Sequence, residues 1–289
     1  MPSVPTIGAV VLSMGDRPQE LTHALATLDA QRGVDLDVVV VGNGWEPTGL
    51  PTGVKSVHLP ENVGVPEGRN VGAAHCGGDF VFFYDDDAAL PRDDVLARLA
   101  RELARRPGTA VVQPRAIDPV SRRTCRRWVP RLRVWRGGRG GVVTHFWEGV
   151  FLIRRAVFEE VGRWPGAFFF GHEGIDLAWR VGAAGHRIRY HPEVVVNHPA
   201  TDPARHDVYY RLNARNRVWV ARRNLPHPLV GLYLVAWILI TLVRVHRVAP
   251  LRDWAAGLHQ GLRTDPGPRR PMPWRTVLRL AFAGRPPIL

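Results

Sequence analysis

The sequence has few cysteines, and it lacks the features of an N-terminal signal peptide. Its 289 residues contain two cysteines, Cys76 and Cys125, which have no CxxC spacing. Two thiols in a chain of this length fit a reducing compartment better than a disulfide framework, so we interpret both as structural. The first apolar run, residues 7–12, is too short for the core of a signal peptide, and no basic segment precedes it. We therefore expect a cytoplasmic protein.

Lysine is almost absent, since Lys55 is the single lysine in the sequence, yet the chain is strongly basic. Lysine and arginine together number 39 against 26 acidic residues, which gives a formal charge of +13 and a pI near 11.1. This charge predicts an anionic partner, which could be nucleic acid, anionic lipid or a phosphorylated substrate. Charge alone does not choose among them. The hydrophobic content of 45% is enough for the core of one large α/β domain with an appendage.

Three consecutive carboxylates, Asp85, Asp86 and Asp87, follow a short and strongly apolar run, residues 80–84. A strand that is apolar on both faces suits the middle of a parallel sheet covered by helices. Ligands bind at the carboxyl edge of such sheets, and three adjacent like charges are costly there unless a cation lies among them. Oxygen ligands favour Mg²⁺ or Mn²⁺ over zinc. The triplet therefore predicts a metal site, with a solvated acidic turn before a helix as the alternative.

The residues before this triplet alternate between strand and helix patterns. Three runs have the length and composition of buried strands: 7–12, 36–41 and 54–59. A helical pattern ending at Gly33 separates the first two, with Asp16 as its predicted cap and Pro18 in its first turn. A strand, a helix and a strand at this spacing predict a right-handed βαβ unit.

Two further segments were assigned from composition. Residues 61–72 mix turn glycines with a helix starting near Pro66, which would bring Arg69 to the same sheet edge; an ordinary loop is the alternative. Residues 115–139 are rich in arginine and include Trp128 and Trp135, which predicts a long mobile loop. We interpret that loop as a substrate contact, although basic residues among tryptophans are also typical of nucleic-acid binding.

Two carboxylates share the first turn of a helix predicted over residues 173–184. Glu173, Asp176 and Arg180 have the spacing i, i+3, i+7, which places them on one helix face. One interpretation is a general base presented at the head of a helix. The alternative is charge complementation at the helix N-terminus together with an Asp176–Arg180 pair.

Four landmarks in this order resemble the family 2 glycosyltransferases of the GT-A fold over residues 7–219. They are Asn62, Gly64, Gly68, Arg69 and Asn70; the acidic triplet; the segment from Arg154 and Arg155 to Phe170 followed by Glu173-Gly174-Ile175-Asp176-Leu177-Ala178-Trp179-Arg180; and His198 after the apolar run 194–196. The resemblance implies an α/β, Rossmann-like and mostly parallel sheet flanked by helices.

The resemblance also implies a reaction and a set of site residues. The reaction is inverting transfer of a sugar from a nucleotide diphosphate donor, assisted by Mn²⁺ or Mg²⁺ at Asp85, Asp87 and His198. A cation there stabilises the departing nucleoside diphosphate. The resemblance does not distinguish UDP-sugars from dTDP-sugars as donors. The nucleotide contacts implied by position are Ser13, Asp16, Asn43 and Arg69, with Asp86 or Asp85 near the ribose.

The sequence departs from the family pattern at two places. The family often has Glu-Asp where this chain has Glu173-Gly174, and the second acid is its usual base. An acceptor hydroxyl needs a carboxylate base within hydrogen-bond reach, so we assign that role first to Glu173 and second to Asp176. The second strand of the family commonly ends in an acidic residue, and Gly42 stands there in this chain.

The chain is divided into a GT-A domain over residues 1–205 and a helical, basic, membrane-associating region over residues 206–289. Residues 207–224 read as a helix with a basic face, whose resemblance to the family's closing helix places Arg215 near the diphosphate. Residues 229–243 carry no charge, but a spanning helix needs about 20 apolar residues. This run better suits a helix in the membrane interface, or one buried against a second subunit in a homodimer.

The leading hypothesis is therefore a peripheral enzyme on the inner face of the cell membrane, with a lipid-linked or cell-envelope glycan as acceptor. An anionic membrane surface is then a partner, and nucleic acid is not expected to be one. Two alternatives stay open at this point. A nucleic-acid-binding protein would show salt-sensitive DNA or RNA binding without needing the acidic triplet. A metal-dependent nucleotidyltransferase would release pyrophosphate.

Overall fold

A sheet of eight strands forms the centre of the protein in the computed structural model, which describes residues 4–131, 138–201, 208–283 and 286–288. The strands are β1 (Thr6–Ser13), β2 (Asp35–Asn43), β3 (Lys55–Leu59), β4 (Phe80–Asp85), β5 (Thr109–Ile117), β6 (Gly141–Val143), β7 (Val150–Arg154) and β8 (Arg187–Asn197). Their order across the sheet is β3-β2-β1-β4-β7-β5-β8-β6.

The sheet is mostly parallel. Four neighbouring pairs, β1 with β2, β1 with β4, β2 with β3 and β5 with β8, are parallel. The antiparallel pairs are the two that β7 makes and the pair of β6 with β8. The chain moves outward from β1 through β2 to β3 and then returns to β4 on the other side of β1. This reversal creates a crevice at the carboxyl ends of β1 and β4, where open α/β sheets bind ligands.

Helices cover both faces of the sheet. They are α1 (Pro18–Asp29), α2 (Val65–His75), α3 (Val95–Ala104), α4 (Arg155–Glu160), α5 (Glu173–Ala183), α6 (Tyr209–Asn224), α7 (His227–Arg244), α8 (Val248–Arg263) and α9 (Trp274–Phe282). The leucines of α1 and α3 pack on one face of the sheet. The other face packs against α2, α4 and α5. Strands β1 and β4 are therefore apolar on both faces, as a sheet covered by helices requires.

The helices after β8 form an extension that packs against the α/β part. A third apolar cluster joins Phe168 and Trp179 to Trp219, Tyr233 and Leu280. Helix α7 is mostly outside this cluster, because Tyr233 and Thr241 are its buried residues. Among the described residues it is the one helix long and apolar enough to cross a membrane by length and composition. An apolar helix with an exposed outer face is therefore a property of the folded chain.

The structure confirms most of the predicted elements and corrects two interpretations. Asp16 does not cap α1, because the N-cap residue is Arg17 and no side chain caps that helix. The arginine-rich segment is not all loop, since β5 continues to Ile117 and a 3₁₀ turn at Arg126–Trp128 holds Trp128 fully buried. Trp135 and Asp207 lie outside the described residues. Both cysteines are free thiols.

Candidate active site

The three predicted metal ligands, Asp85, Asp87 and His198, meet at the carboxyl end of β4. Asp85 is the last residue of β4, Asp87 follows it, and His198 directly follows β8. Nε2 of His198 lies 3.2 Å from Oδ2 of Asp85 and 3.0 Å from Oδ1 of Asp87. One ligand atom from each of the three residues lies within 4.8 Å of the others. The structure thus brings together residues 113 positions apart in the chain.

The orientation of His198 is set by its second ring nitrogen. Nδ1 lies 2.8 Å from the carbonyl oxygen of Pro199, which accepts only, so Nδ1 carries a proton and donates it. Trp128 and Trp147 pack edge-on against the ring at centroid distances of 5.4 and 4.8 Å. Gln113 ties these tryptophans together, because it donates to the carbonyl of Trp128 and accepts from the amide of Trp147. The buried Trp128 therefore supports His198.

This geometry fits a divalent cation. With Nδ1 protonated, Nε2 of a neutral His198 would present a lone pair to two carboxylates, which is unfavourable unless a proton or a cation lies between them. Burial opposes protonation of His198, but hydrogen bonds to Asp85 and Asp87 outweigh it and raise its pKa to about 9. Two carboxylates and an imidazole are a donor set that Mn²⁺ accepts.

Two arginines neutralise the rest of the acidic triplet. Arg69, buried on α2, donates to Oδ1 of Asp85 at 2.6 Å, and its Nη1 is buried without a hydrogen-bond partner. Arg17 pairs with Asp86 at 2.7 Å and also contacts Asp87. Burial nevertheless raises the pKa of Asp86 to about 7, against the opposing effect of Arg17. Arg17 was not among the predicted site residues.

Ser13 is the last residue of β1, and Asp16 lies in the loop between β1 and α1, beside this cluster. Ser13 is buried, and its hydroxyl accepts from the amide of Gly15 at 3.1 Å. The same side chain hydrogen-bonds Asp86. Asp16 is largely exposed and lies 3.8 Å from Nε of Arg17. The end of β1 and the loop after it thus place a hydroxyl and a carboxylate at the crevice between β1 and β4.

Asn43 and Arg215 lie apart from the triplet in their contacts. Asn43, the last residue of β2, donates to Oδ1 of Asn62 at 2.8 Å and accepts from the amide of Val63 at 2.9 Å. Arg215 on α6 donates to the carbonyl of Phe168 at 2.8 Å and stacks over Trp219. Burial, with a smaller effect of Arg211, lowers the pKa of Arg215 to about 10. Both side chains hold loops, and their roles toward a nucleotide stay predictions.

A second pair of carboxylates lies at the head of α5. Glu148, in the loop before β7, accepts a hydrogen bond from the amide of Gly174 at 3.2 Å. A Cβ atom at Gly174 would overlap the Glu148 side chain. Glycine at position 174 therefore leaves the space that Glu148 occupies. The next residue toward the N-terminus, Glu173, is 5% exposed, and its Oε2 is buried without a partner.

These two glutamates hold protons more tightly than ordinary carboxyl groups. Burial, and next the charge of Glu148, raise the pKa of Glu173 to about 7. Burial likewise raises the pKa of Glu148, while the Arg69 charge and the Gly174 amide act in the opposite direction. A carboxyl group with a pKa near neutrality is suited to proton transfer.

The segment that leads into Glu173 is held by α6. Asn216, fully buried, donates to the carbonyls of Phe168, Phe170 and Gly171 at 2.8–2.9 Å. His172 adopts a left-handed conformation with φ of 68°, which is uncommon for a non-glycine residue and typical of functional sites. Asn216 is thus a positioning residue for the head of α5.

Asp176, the second candidate base, is enclosed in a different network. It is fully buried and contacts Arg180 at 2.7 Å, Arg223 at 2.9 Å and Asn224 at 2.7 Å. Burial raises its pKa, but Arg180 and Arg223 outweigh that effect and hold the pKa below its usual value. Its carboxylate oxygens already bind cations, so its observed contacts join α5 to α6. No acceptor hydroxyl is needed to explain this arrangement.

Three residues of the site were missed from the sequence: Arg17, Glu148 and Asn216. Arg17 directly follows Asp16, which the sequence already predicts at the site. A basic residue close to three carboxylates is a usable signal. Glu148 has a weaker signal, namely an acid two residues before the apolar strand β7, which pairs with β4. Asn216 had none, because an asparagine inside a basic helix pattern does not reveal which carbonyls it will meet.

Comparisons with known proteins agree with this geometry. The model of the family described as glycosyl transferase family 2 matches residues 16–162, which is half of the chain. A pre-mycofactocin glycosyltransferase of Mycobacterium tuberculosis is 28% identical over 233 residues, covering 72% of this chain and 48% of that protein. The chain therefore spans about half the length of this curated relative.

Two solved structures share the fold. A structure of GalNAc-T7 with UDP, GalNAc and Mn²⁺ has a TM-score of 0.68 at 13% identity, covering 100% of this chain and 59% of that one. The mannosyltransferase PcManGT from Pyrobaculum calidifontis, in complex with GDP-Man and Mn²⁺, has a TM-score of 0.56 at 18% identity, covering 99% of this chain and 78% of that one. At these identities the likeness supports the fold.

Proposed function

The chain belongs to glycosyl transferase family 2, and on that premise we propose that it is a metal-assisted, inverting enzyme that moves a sugar from a nucleotide diphosphate donor to a glycan or lipid-linked acceptor. The observation that carries the proposal is the meeting of Asp85, Asp87 and His198 at the crevice between β1 and β4. That crevice is where the fold reverses strand order, which is where nucleotides bind in open α/β sheets.

The donor class is a UDP- or dTDP-sugar. Support comes from the two structural neighbours, one of which holds UDP and Mn²⁺ and the other GDP-Man and Mn²⁺, and from the polar residues between Ser13 and Arg17 beside the triplet. Because one of those neighbours holds GDP-Man, guanosine donors belong in the test. Asp85, Asp87 and His198 would hold Mn²⁺ or Mg²⁺. A divalent cation there supplies positive charge beside the diphosphate leaving group.

The arginines of the site orient its acids. Arg69 holds Asp85 by one nitrogen and leaves Nη1 buried and free of hydrogen bonds among the described residues. A buried guanidinium nitrogen without an acceptor is costly. We therefore propose that Nη1 donates a hydrogen bond to an oxygen of the nucleotide-sugar donor. Arg17 holds Asp86 and Asp87 from the other side. Together they keep the carboxylates in place before the donor arrives.

We assign the base to the pair formed by Glu148 and Glu173. The acceptor hydroxyl must lose a proton as it attacks the sugar, and the pair has one carboxyl group with a pKa near neutrality. Glu148 occupies the space beside Gly174, where the family resemblance expects the catalytic acid. Two neighbouring carboxylates, one buried and one partly buried, hold one proton between them near neutral pH, because both cannot ionise cheaply.

We also propose that the enzyme is peripheral on the inner face of the cell membrane, with α7 as the contact. Leu232, Val235, Leu239 and Leu242 are each at least half exposed. An apolar face of this kind enters the headgroup boundary by about 5–10 Å. The exposed Arg244 and Arg247 lie at and just after its C-terminal end, and each contributes about 1 kcal/mol near an anionic leaflet. A homodimer contact is the competing explanation.

A binding screen tests the donor assignment. Calorimetry with UDP, dTDP and GDP, each with and without Mn²⁺, should show metal-dependent binding of one of the first two. Metal-independent binding of every nucleotide would contradict the assigned site. If GDP were the only nucleotide that bound, the site assignment would stand and the proposed nucleobase would change to guanine.

Charge introduced into the outer face of α7 tests the membrane assignment. Leu232→Glu together with Leu239→Glu should abolish flotation with anionic vesicles at low salt, while Mn²⁺-dependent nucleotide binding persists. Val120→Glu is the matched control, because Val120 is 90% exposed and lies outside the helical extension. Truncation before α7 is a poor test, since it also removes α8 and α9 and uncovers the third apolar cluster. Loss of dimerisation in place of flotation would show that α7 is a subunit interface.

A further inference from the structure

A cavity lies between α5, α6 and α7. Its wall includes His172 and Ile175 from the start of α5, Arg217 from α6, and Tyr233 and Trp237 from α7. Its volume is about 100 Å³, which is room for several water-sized groups. Its described lining contains no carboxylate.

Arg217 is the charged group in this wall, and it has no acidic partner among the described residues. The side chain is 8% exposed. Nη1 donates to the hydroxyl of Tyr233 at 3.3 Å, and the guanidinium stacks 3.5 Å from the Trp237 ring centroid. Burial lowers its pKa, which shows that the charge is costly in this position. Two partly buried arginines of this region, Arg180 and Arg223, both pair with Asp176.

Two hydrogen-bond donors of the wall, one on Arg217 and one on Trp237, are left over. Nε of Arg217 and Nε1 of Trp237 are both buried, and neither has a hydrogen-bond partner. Both atoms are donors, so the missing group is an acceptor. A buried cation without a counter-ion costs several kcal/mol. An anionic oxygen in the cavity would satisfy both donors and balance the charge.

The cavity lies next to the proposed base and to the proposed membrane surface. His172 directly precedes Glu173, and Ile175 belongs to the same helical turn. Tyr233 and Trp237 belong to α7, whose opposite face is exposed and apolar. The cavity wall thus joins the head of α5, which carries Glu173, to the helix that we propose as the membrane contact.

We propose that this cavity binds a phosphate ester of the acceptor, with Arg217 as its counter-charge and Trp237 as a second donor. The proposal rests on the proposed glycosyl transfer only in calling the ligand an acceptor. The phosphate could come from a lipid headgroup or from a soluble phosphate, and the chemistry at Arg217 is the same for both.

Three probes separate these sources in the wild-type chain. Farnesyl phosphate, inorganic phosphate and farnesol are titrated, and binding is followed by calorimetry and by the shift in Tm. Tighter binding of farnesyl phosphate than of inorganic phosphate, with farnesol weaker than both, assigns a lipid phosphate. Equal binding of the two phosphates assigns a soluble phosphate ester. Equal binding of farnesol and farnesyl phosphate would overturn the proposal, because the charge would then contribute nothing.

A matched pair of variants tests the residue. Arg217→Met should weaken phosphate binding by about 10- to 100-fold, as expected for a lost charged hydrogen bond, whereas Arg211→Met on the exposed side of the same helix should not. Arg217→Lys keeps the charge and should retain part of the affinity if the Met variant folds poorly. UDP binding with Mn²⁺ should be unchanged in all three. Unchanged phosphate affinity in Arg217→Met would overturn the assignment of the cavity. If the wild-type chain did not bind UDP with Mn²⁺, only the glycosyl-transfer proposal would be contradicted.

Discussion

Two groups of carboxylates in this protein lie in different electrostatic surroundings. Asp85 and Asp87 contact Arg69, Arg17 and His198, and hydrogen bonding to His198 helps to hold the pKa of Asp87 below its usual value in spite of burial. Glu173 is buried and Glu148 is partly buried beside it, and this burial raises the pKa of each. The placement of cations, not the type of acid, thus decides which group suits a metal and which suits a proton.

The largest expected effect comes from removing a carboxylate of the first group. Asp87→Asn should abolish Mn²⁺-dependent donor binding. The loss of affinity should exceed the reduction of about 10- to 100-fold that follows the substitution of residues that support metal ligands. Calorimetry with UDP and Mn²⁺ measures it. Asp93→Asn, an exposed acid in the following loop, should bind as the wild type does. Retained metal-dependent affinity in Asp87→Asn would show that this group holds no metal.

The second group should respond in the opposite way. Glu148→Gln keeps the shape of the side chain but cannot accept a proton, so the transfer rate should fall by about 10²- to 10⁴-fold. Donor affinity should stay within about twofold of wild type, since no metal ligand is changed. Single-turnover transfer and UDP calorimetry together measure this split.

Glu173→Gln and the double variant show whether the two glutamates act as a unit. If they share one proton, the double variant should lose little more than either single one. A large loss in Glu173→Gln beside a normal rate in Glu148→Gln would mean that Glu148 only fills the space over Gly174. A normal rate in both, with loss in Asp176→Asn, would return the base to Asp176.

The pH profile should show a smaller effect of the same pair. The base works when ionised, so kcat/KM should fall as pH drops through about 7, the pKa of Glu173. Glu148→Gln removes the neighbouring negative charge that contributes to this raised pKa. The residual activity of that variant should therefore have its acidic limb at lower pH, by about one unit. An unshifted limb would show that the two groups are not coupled.

Stability should report the raised pKa independently of catalysis. A carboxyl group with a pKa raised in the folded state binds its proton more tightly there than in the unfolded chain. Its contribution is complete below the ordinary value near 4.5 and is lost as pH rises through about 7. Glu173→Gln removes this loss, so its Tm should exceed that of the wild type at about pH 8 and match it near about pH 4. Equal Tm values at both pH values would contradict the raised pKa.

Much of the fold could be predicted because its signals are local. The apolar run before Asp85 predicts β4, and the predicted strands, the α2 helix and the helix at Glu173 were all found within a few residues. The meeting of Asp85 and His198 came from the family resemblance, since nothing in the sequence shows which sheet edge His198 reaches. Long-range side-chain contacts lay beyond local signals for the same reason.

The misassigned residues illustrate the limit in physical terms. Trp128 lies in an arginine-rich segment with loop composition, yet it is buried because His198 and Trp147 provide apolar surface from distant parts of the chain. Asp176 has the spacing of a base presented on a helix. Its partners Arg223 and Asn224 come from another helix, 47 and 48 residues away. Composition and periodicity describe one element at a time, whereas these roles depend on which elements meet.

The crossing of Glu148 over Gly174 bears on how such enzymes are compared. A sequence comparison that considered Gly174 alone would record a missing acid and would class the chain as inactive. Glu148 lies 26 residues earlier in the chain and fills the space beside Gly174, so a side chain that is missing at one position has a counterpart from another part of the chain. The acids of such proteins are therefore better compared by their positions in space than by one aligned position.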